Sequence, residues 1–225
     1  MVEDLRAPAL TPISQLPTGV ARGVEIVFTD IDDTLTRNGQ LEREAYAALW
    51  DLHEAGLRVV PVTGRPAGWC DHIARMWPVD GVIGENGALA LRYDRRRRRM
   101  ESLHAVSPEE RAQTRARLSA LQDRILREVP GAGVASDQPY RMYDLAIDFC
   151  EDVAPLAEVD IERIVQLFEA EGATAKVSSI HVNGWFGSFD KLTMIRRFAG
   201  VLGYPEETLG SRAVYVGDSP NDAPA

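Results

Sequence analysis

The chain has 225 residues, of which 45% are hydrophobic and 26% charged, and its formal net charge is −9. That size allows one large domain or two unequal ones with a real core, and the balance is that of a folded globular protein, not a disordered one. Nucleic acid and anionic membrane both require a basic face, so this acidic chain is expected to bind neither, and any anionic substrate must be met by local positive groups.

Residues 1–21 hold acids at Glu3 and Asp4, scattered prolines and no apolar stretch, which predicts a loosely held arm and not a signal peptide. The first strand is expected at 25–29 and runs into FTDIDDTLT, Phe28 to Thr36, where three carboxylates fall within four positions. A strand period of two puts Asp30 and Asp32 on one side and Ile31 on the other. Asn38-Gly39 is a favoured hairpin-turn pair, so a small β-flap is expected above this strand end. Leu41, Ala45, Leu49 and Leu52 repeat at helical spacing before Gly56. A second buried strand at 57–62 ends in Thr63-Gly64-Arg65, and Trp69, Ile73 and Met76 suggest a short helix after Pro66. A third strand at 81–83 ends in Gly84-Glu85-Asn86-Gly87. Alternating strands and helices of this kind predict a parallel α/β sheet.

From about residue 87 to 185 the rhythm changes. ALALRYD and RMESLHAV flank a polar turn, and the run Arg95 to Arg99 at that turn reads as a solvated loop. Ser107, Pro108 and Glu110 form a capping-box signature for a helix whose buried stripe is Leu118, Leu121, Ile125 and Val129. YDLAIDF alternates as a strand. A second helix buries Ile161, Ile164, Val165 and Phe168 and stops at Gly172, and TAKVSSIHV follows as one further strand. The order β-β-α-β-α-β reads as an inserted α+β module. Asp190-Lys191 then opens a helix with Leu192, Ile195, Phe198 and Leu202 on one face and Gly203 as its stop. The last strand, 213–216, ends in Gly217-Asp218-Ser219-Pro220-Asn221-Asp222. No repeat of solenoid period and no span of about 18 apolar residues is present. Cysteine occurs only at Cys70 and Cys150, too sparsely for a disulfide framework or a metal cluster, and a cytoplasmic location is expected.

Ligands of parallel α/β sheets sit beyond the carboxyl ends of the strands. Here those ends carry Asp30 and Asp32, Thr63, Glu85, and Asp218. Such carboxylates repel one another unless a cation lies between them, and a set of hard oxygens without histidine selects Mg²⁺. A lysine in the first turn of a helix opposes the helix dipole at a cost of about 0.3–1 kcal/mol, so Lys191 predicts a compensating anion, either phosphate or the Asp cluster. Carboxylate nucleophile, Mg²⁺, a Thr-Gly turn and a lysine are the parts of a phosphoryl-transfer site.

DIDDT at Asp30 to Thr34, VTGR at Val62 to Arg65, Lys191, and GDSPND at Gly217 to Asp222 resemble, in order and spacing, the four motifs of the haloacid dehalogenase superfamily of phosphohydrolases. ENGA at Glu85 to Ala88, followed by a long insert, resembles the branch with a type II cap, which includes Cof-type, sucrose-phosphate and mannosylphosphoglycerate phosphatases. The resemblance implies a Rossmann-like core of residues 22–86 and 186–225 and a cap domain of 87–185. It implies that Asp30 attacks phosphorus and that Asp32 acts as acid and base, with Thr63, Gly64 and Lys191 holding the phosphoryl oxygens. Mg²⁺ would be bound by Asp30, the Asp32 carbonyl, Asp218 and Asp222, with Asn221 orienting that loop. Asp33 is expected to be only a turn residue.

Substrate choice is expected in the insert and its surroundings, with Arg65, Glu85, Asn86, Arg141, His181 and Asn183 as candidate contacts, though Glu85 and Asn86 could equally brace the turn at Gly87. The leading reading is a Mg²⁺-dependent phosphatase of a small phosphorylated metabolite, such as a sugar phosphate. The alternatives are a phosphomutase and a weakly catalytic binder of phosphorylated ligands. The binder is suggested because such folds usually continue with a strand and helix beyond the last motif, whereas this sequence stops three residues after it.

Overall fold

The computed structural model describes residues 12–218, so residues 1–11 of the expected arm, and Asn221 and Asp222 of the last motif, lie outside the described residues. In chain order the elements are α1 (Thr18–Gly23), β1 (Ile26–Thr29), β2 (Thr36–Arg37), β3 (Gln40–Leu41), α2 (Arg43–Glu54), β4 (Arg58–Pro61), α3 (Ala67–Met76), β5 (Val82–Gly84), β6 (Leu89–Asp94) and β7 (Arg99–His104). There follow α4 (Pro108–Glu128), β8 (Gly133–Val134), β9 (Leu145–Asp148), α5 (Glu158–Ala170), β10 (Thr174–Val177), β11 (His181–Trp185), α6 (Lys191–Val201), α7 (Glu206–Arg212) and β12 (Ala213–Val216).

β1 lies between β12 and β4, parallel to both, with Thr29 opposite Val216 on one side and Pro61 on the other. A parallel bridge from Val62 to Ile83 adds β5 beyond β4. The apolar run of β1 is buried throughout, as a strand covered on both faces requires. One face packs on α6, where Met194, Ile195, Phe198 and Ala199 meet Ile26, Phe28, Val60 and Ile83. The other packs on α3, where Ala67, Cys70, Ile73 and Ala74 meet Val82, Leu89 and Leu91. The fold is therefore α/β, a parallel Rossmann-like sheet with helices on both faces.

Three details differ from the sequence expectation. Of the periodic residues Trp69, Ile73 and Met76, only Ile73 is buried; the inward face of α3 is made by the small residues Ala67, Cys70 and Ala74, while Trp69 and Met76 face outward. The hairpin β6–β7, expected in the insert, instead pairs antiparallel with β5. Its alternation explains this: Ala90 packs toward α6 while Leu89 and Leu91 pack toward α3, so the hairpin extends both layers of the core. Its polar turn, Arg95–Arg99, is exposed.

The rest of the insert is an antiparallel sheet in the order β10-β11-β9-β8. It is covered by α4 and α5, with Leu118, Leu121 and Ile125 meeting Ile164, Leu167 and Phe168 over Leu145, Ile147 and Val182. TAKVSSIHV is two strands, not one. Ser178 breaks it, its backbone N–H donating to the His181 carbonyl at 2.8 Å while its Oγ accepts the His181 N–H at 2.9 Å, so the chain reverses into a hairpin.

The capping box of α4 is complete. Ser107 Oγ accepts the Glu110 N–H at 3.2 Å, and Glu110 Oε2 accepts the Ser107 N–H at 3.0 Å. Ser107→Ala removes the first of these bonds and is expected to cost about 1 kcal/mol, lowering the thermal midpoint by about 2–4 °C, measurable by circular dichroism.

Candidate active site

Because β12, β1, β4 and β5 run parallel, their carboxyl ends share one edge. Asp30 follows β1 directly, is 6% exposed, and donates its backbone N–H to the Val216 carbonyl of β12 at 2.8 Å. Lys191 Nζ lies 2.7 Å from Asp30 Oδ1. Asp30 is thus an anion facing the lysine that opens α6. The helix is seated by a close approach at Gly87: its φ is +99°, and a Cβ there would collide with the Asp190 carbonyl. Asp190 in turn caps α6 by accepting the Thr193 N–H at 2.7 Å.

Asp32 is held by Arg65, which donates from Nε at 3.0 Å and from Nη2 at 2.7 Å to Oδ1, and from Nε at 3.1 Å to Oδ2. Thr63, fully buried, places its hydroxyl 3.5 Å from Asp32 Oδ2. Arg65 also lies over the Trp69 ring at 4.7 Å, a cation–π contact. Arg65, expected on the substrate, is therefore engaged in orienting Asp32. The Thr34 hydroxyl donates to Asp218 Oδ1 at 3.2 Å, tying the first motif to the last. Sequence reasoning gave Thr34 no role, although its place inside DIDDT was a signal. Asp33 sits at φ 58° with its N–H on the Thr36 hydroxyl, in a turn.

Asp30 and Asp218 follow adjacent strands, and the side-chain donors at this edge are oxygens, the ligand chemistry that Mg²⁺ takes. Among the described residues no group of three or more His, Cys, Asp and Glu side chains is gathered to hold an ion. The remaining acid of the expected set, Asp222, lies outside the described residues.

The candidate substrate contacts Glu85, Arg141 and Asn183 bind other parts of the protein. Glu85 is 1% exposed; its Oε1 accepts the Ala67 N–H at 2.9 Å and the Met142 N–H at 2.8 Å, and its Oε2 accepts Tyr143 N–H at 2.6 Å and Asp144 N–H at 3.2 Å. One carboxylate thus joins the start of α3 to the segment entering β9. The Arg141 guanidinium pairs with Asp137 at 2.9 Å and Asp144 at 3.0 Å and donates to the Gly64 carbonyl at 3.2 Å, while Asn183 donates to Asp144 at 2.9 Å. Asn86 packs its side-chain amide against Gly64 and donates its N–H to the Thr63 carbonyl at 3.1 Å. His181 is buried, its Nε2 2.8 Å from Glu151 Oε2 but out of line for a hydrogen bond. These polar residues read from sequence like binding groups because their partners, backbone N–H groups for Glu85 and the Asp137 and Asp144 carboxylates for Arg141 and Asn183, are not marked by any sequence pattern.

Beside Asp32 opens a pocket of about 500 Å³. Asp32 and Arg65 reach it from the strand ends, the β2–β3 flap adds Thr36, Gly39 and Leu41, α3 adds Trp69 and His72, and Tyr140 of the insert closes one wall. The flap forms as expected, with Asn38 and Gly39 both at positive φ.

Burial, with the negative Asp144 nearby, pushes Glu85 up to about 7 against the pull of its N–H donors. The folded protein then holds this proton more tightly than the unfolded chain, whose carboxyl sits near the ordinary 4.5. The stabilisation is full below about 4.5 and is lost as pH rises through about 7, and it is on the order of 3 kcal/mol. The thermal midpoint of the wild type minus that of Glu85→Gln is therefore expected to shrink by several degrees between pH 5 and pH 8.

Residues 27–114 match the haloacid dehalogenase-like hydrolase family. No curated protein matches the sequence. Among solved structures, the Thermoplasma acidophilum protein 0175 superposes with a TM-score of 0.67 at 16% identity, covering 89% of this chain and 80% of that one. A haloacid dehalogenase-like hydrolase from Bacteroides thetaiotaomicron gives 0.64 at 14% identity, covering 88% and 83%. A sugar phosphatase of subclass IIB of that superfamily gives 0.59 at 14% identity, covering 88% and 82%. At such identities these likenesses speak for the fold. One stretch, residues 27–114, thus matches the haloacid dehalogenase-like hydrolases, and the chain as a whole shares its fold with a subclass IIB member of that superfamily.

Proposed function

We propose that the protein is a Mg²⁺-dependent phosphatase that hydrolyses the phosphomonoester of a small metabolite through an aspartyl-phosphate. The observation that carries this reading is the meeting of Asp30 and Lys191 at 2.7 Å, at an edge shared with Asp32 and Thr63. A carboxylate nucleophile, a cation for the phosphoryl oxygens and a second carboxyl group for proton transfer are what the two displacements need.

In the first displacement a carboxylate oxygen of Asp30 bonds to phosphorus as the ester P–O bond breaks, and Asp32 delivers its proton to the departing oxygen. In the second, water attacks the aspartyl-phosphate, Asp32 takes the water proton, and the P–O bond to Asp30 breaks to free phosphate and restore the carboxylate. Lys191, the Thr63 hydroxyl and the Gly64 amide position and neutralise the phosphoryl oxygens. Asp30, the Asp32 carbonyl, Asp218 and Asp222 would hold Mg²⁺, which supplies charge neutralisation when bound. Arg65 keeps Asp32 aimed, and Thr34 keeps the Asp218 loop against the first motif.

We also place the border of the cap after β7, not at residue 87, so that the hairpin counts with residues 22–86 and 186–225 as core. The two cysteines are unpaired, in keeping with a cytoplasmic location. No described helix is long and apolar enough to cross a membrane.

Phosphate release from a panel of phosphomonoesters tests the reading. Release is expected with Mg²⁺, is abolished by EDTA, and falls by about 1,000-fold or more in Asp30→Asn, because the nucleophile is gone while the fold remains. Hydrolysis that survives Asp30→Asn would refute it, and transfer of the phosphoryl group to a second sugar instead of water would identify a phosphomutase.

A further inference from the structure

The pocket beside Asp32 bears on what leaves the phosphorus, an inference that rests on the phosphatase reading. Asp30, Thr63 and Lys191 do not line it, whereas Asp32 does. If Asp32 protonates the departing oxygen, the phosphoryl group lies on the Asp30 side and the leaving group occupies this pocket. Its chemistry is then the chemistry of the leaving group.

Its walls are mainly apolar and aromatic: Ile31, Leu41, Ile73, Trp69, Trp77 and Tyr140. The polar groups that reach it are mostly committed. Asp32 and Arg65 are paired with each other, and the Thr36 hydroxyl donates to the Ile31 carbonyl at 3.2 Å while accepting the Asp33 N–H at 3.1 Å. That leaves the His72 ring and the Tyr140 hydroxyl to meet a ligand. A polyol placed here would lose water from several hydroxyls and regain few hydrogen bonds, at about 1–3 kcal/mol for each one unpaired. An extra anionic group fares no better, because it would have to draw the one guanidinium in the pocket away from Asp32, which that guanidinium holds through both oxygens. A flat apolar ring, by contrast, gains the aromatic walls.

The wall is also built to stay in place. Arg65 covers one side of the Trp69 ring, and Gly68 lets Tyr140 lie against the first turn of α3, where an added Cβ would meet the Tyr140 Cβ at 2.9 Å. Trp69 is nonetheless 44% exposed and Tyr140 59% exposed, large aromatic surface turned toward an opening. We propose that the leaving group is an uncharged alcohol bearing an apolar or aromatic ring, and not a polyol sugar or a glycerate.

The test compares primary-alcohol esters, so that the intrinsic reactivity of the leaving oxygen is similar: 2-phenylethyl phosphate, cyclohexylmethyl phosphate, glucose 6-phosphate and 3-phosphoglycerate, each with Mg²⁺. The two ring esters are expected to exceed the other two in kcat/KM by about tenfold or more, the worth of one good aromatic contact. Trp69→Ala and Tyr140→Ala, both at exposed positions, should raise KM for 2-phenylethyl phosphate by about tenfold with little change in kcat, collapsing the preference. Trp50→Ala, on the exposed side of α2 and away from the pocket, should leave it intact. In a metal-free readout, 3-phenylpropylphosphonate should change the tryptophan fluorescence of the wild type with saturation, and Trp69→Ala should raise the half-saturating concentration by about tenfold. Glucose 6-phosphate or 3-phosphoglycerate turned over as well as the ring esters, or a preference untouched in Trp69→Ala, overturns this inference and leaves the phosphatase reading standing. No phosphate release from any ester, in a protein whose Asp30→Asn variant behaves identically, overturns both.

Discussion

Lys191 and Asp30 meet at 2.7 Å although 161 residues of chain separate them, and the rest of the architecture can be read as what holds that contact. A lysine at the start of a helix is disfavoured by the helix dipole, and a carboxylate at the end of a buried strand is disfavoured by desolvation. Each supplies what the other lacks. The pair is fixed from three directions: β1 is clamped between β12 and β4 in parallel register, α6 is nailed to the sheet through Met194, Ile195 and Phe198, and the Gly87 turn seats the Asp190 backbone where no side chain would fit. Everything from the end of β7 to α6 has to leave the core and return without disturbing that seat.

The insert is tied to the core by polar contacts as well as by packing. Glu85 caps the start of α3 and at the same time receives three N–H groups of residues 142–144, so the orientation of the insert and the entry to α3 share one carboxylate. Arg141, locked by Asp137 and Asp144, reaches the carbonyl of Gly64 within the Thr-Gly turn itself. Buried charges of this kind are costly to desolvate and are tolerated only when their hydrogen bonds are nearly complete, so they contribute geometry more than net stability. The apolar contact of Tyr143, Trp185 and Phe189 with the α3 layer supplies the burial that the polar network does not. The pocket wall at Tyr140 is only one residue from this anchored segment, which fixes its distance from Trp69.

Much of this was legible in the sequence because it is local. The strand-end motifs, the Asn38-Gly39 turn, the Ser107 capping box and the Asp190 start of α6 each depend on a few consecutive residues whose conformational preferences agree. The order of buried strands gave the parallel core for the same reason. What was not legible depends on partners far away in the chain. The β6–β7 hairpin has the same alternation whether it joins the core or the insert, and only the match of Ala90 to the α6 layer and of Leu89 and Leu91 to the α3 layer decides it. Trp69 and Met76 satisfy a helical period with Ile73, yet the face of α3 turned to the sheet carries Ile73 with the small Ala67, Cys70 and Ala74, and the other two large residues are turned out. Glu85, Arg141 and Asn183 carry the residue types of a binding site, but backbone N–H groups had already engaged Glu85 and the carboxylates of Asp137 and Asp144 had engaged Arg141 and Asn183, partners that no sequence pattern announces.

Arg65 shows how closely the chemistry and the choice of ligand are coupled. Its guanidinium grips both oxygens of Asp32 and at the same time lies over Trp69, so the group that aims the second carboxylate also fixes the first aromatic wall of the neighbouring pocket. A planar guanidinium can do both because its edge donates hydrogen bonds while its face stacks; an ammonium would do only one. The three hydrogen bonds to Asp32 hold that guanidinium whether or not the ring is present, so the ring shapes the pocket while Asp32 keeps its own support. In the proposed reading, a molecule packed against the ring would have its oxygen turned toward that carboxylate, with binding set by the aromatic wall and proton transfer by the guanidinium behind it.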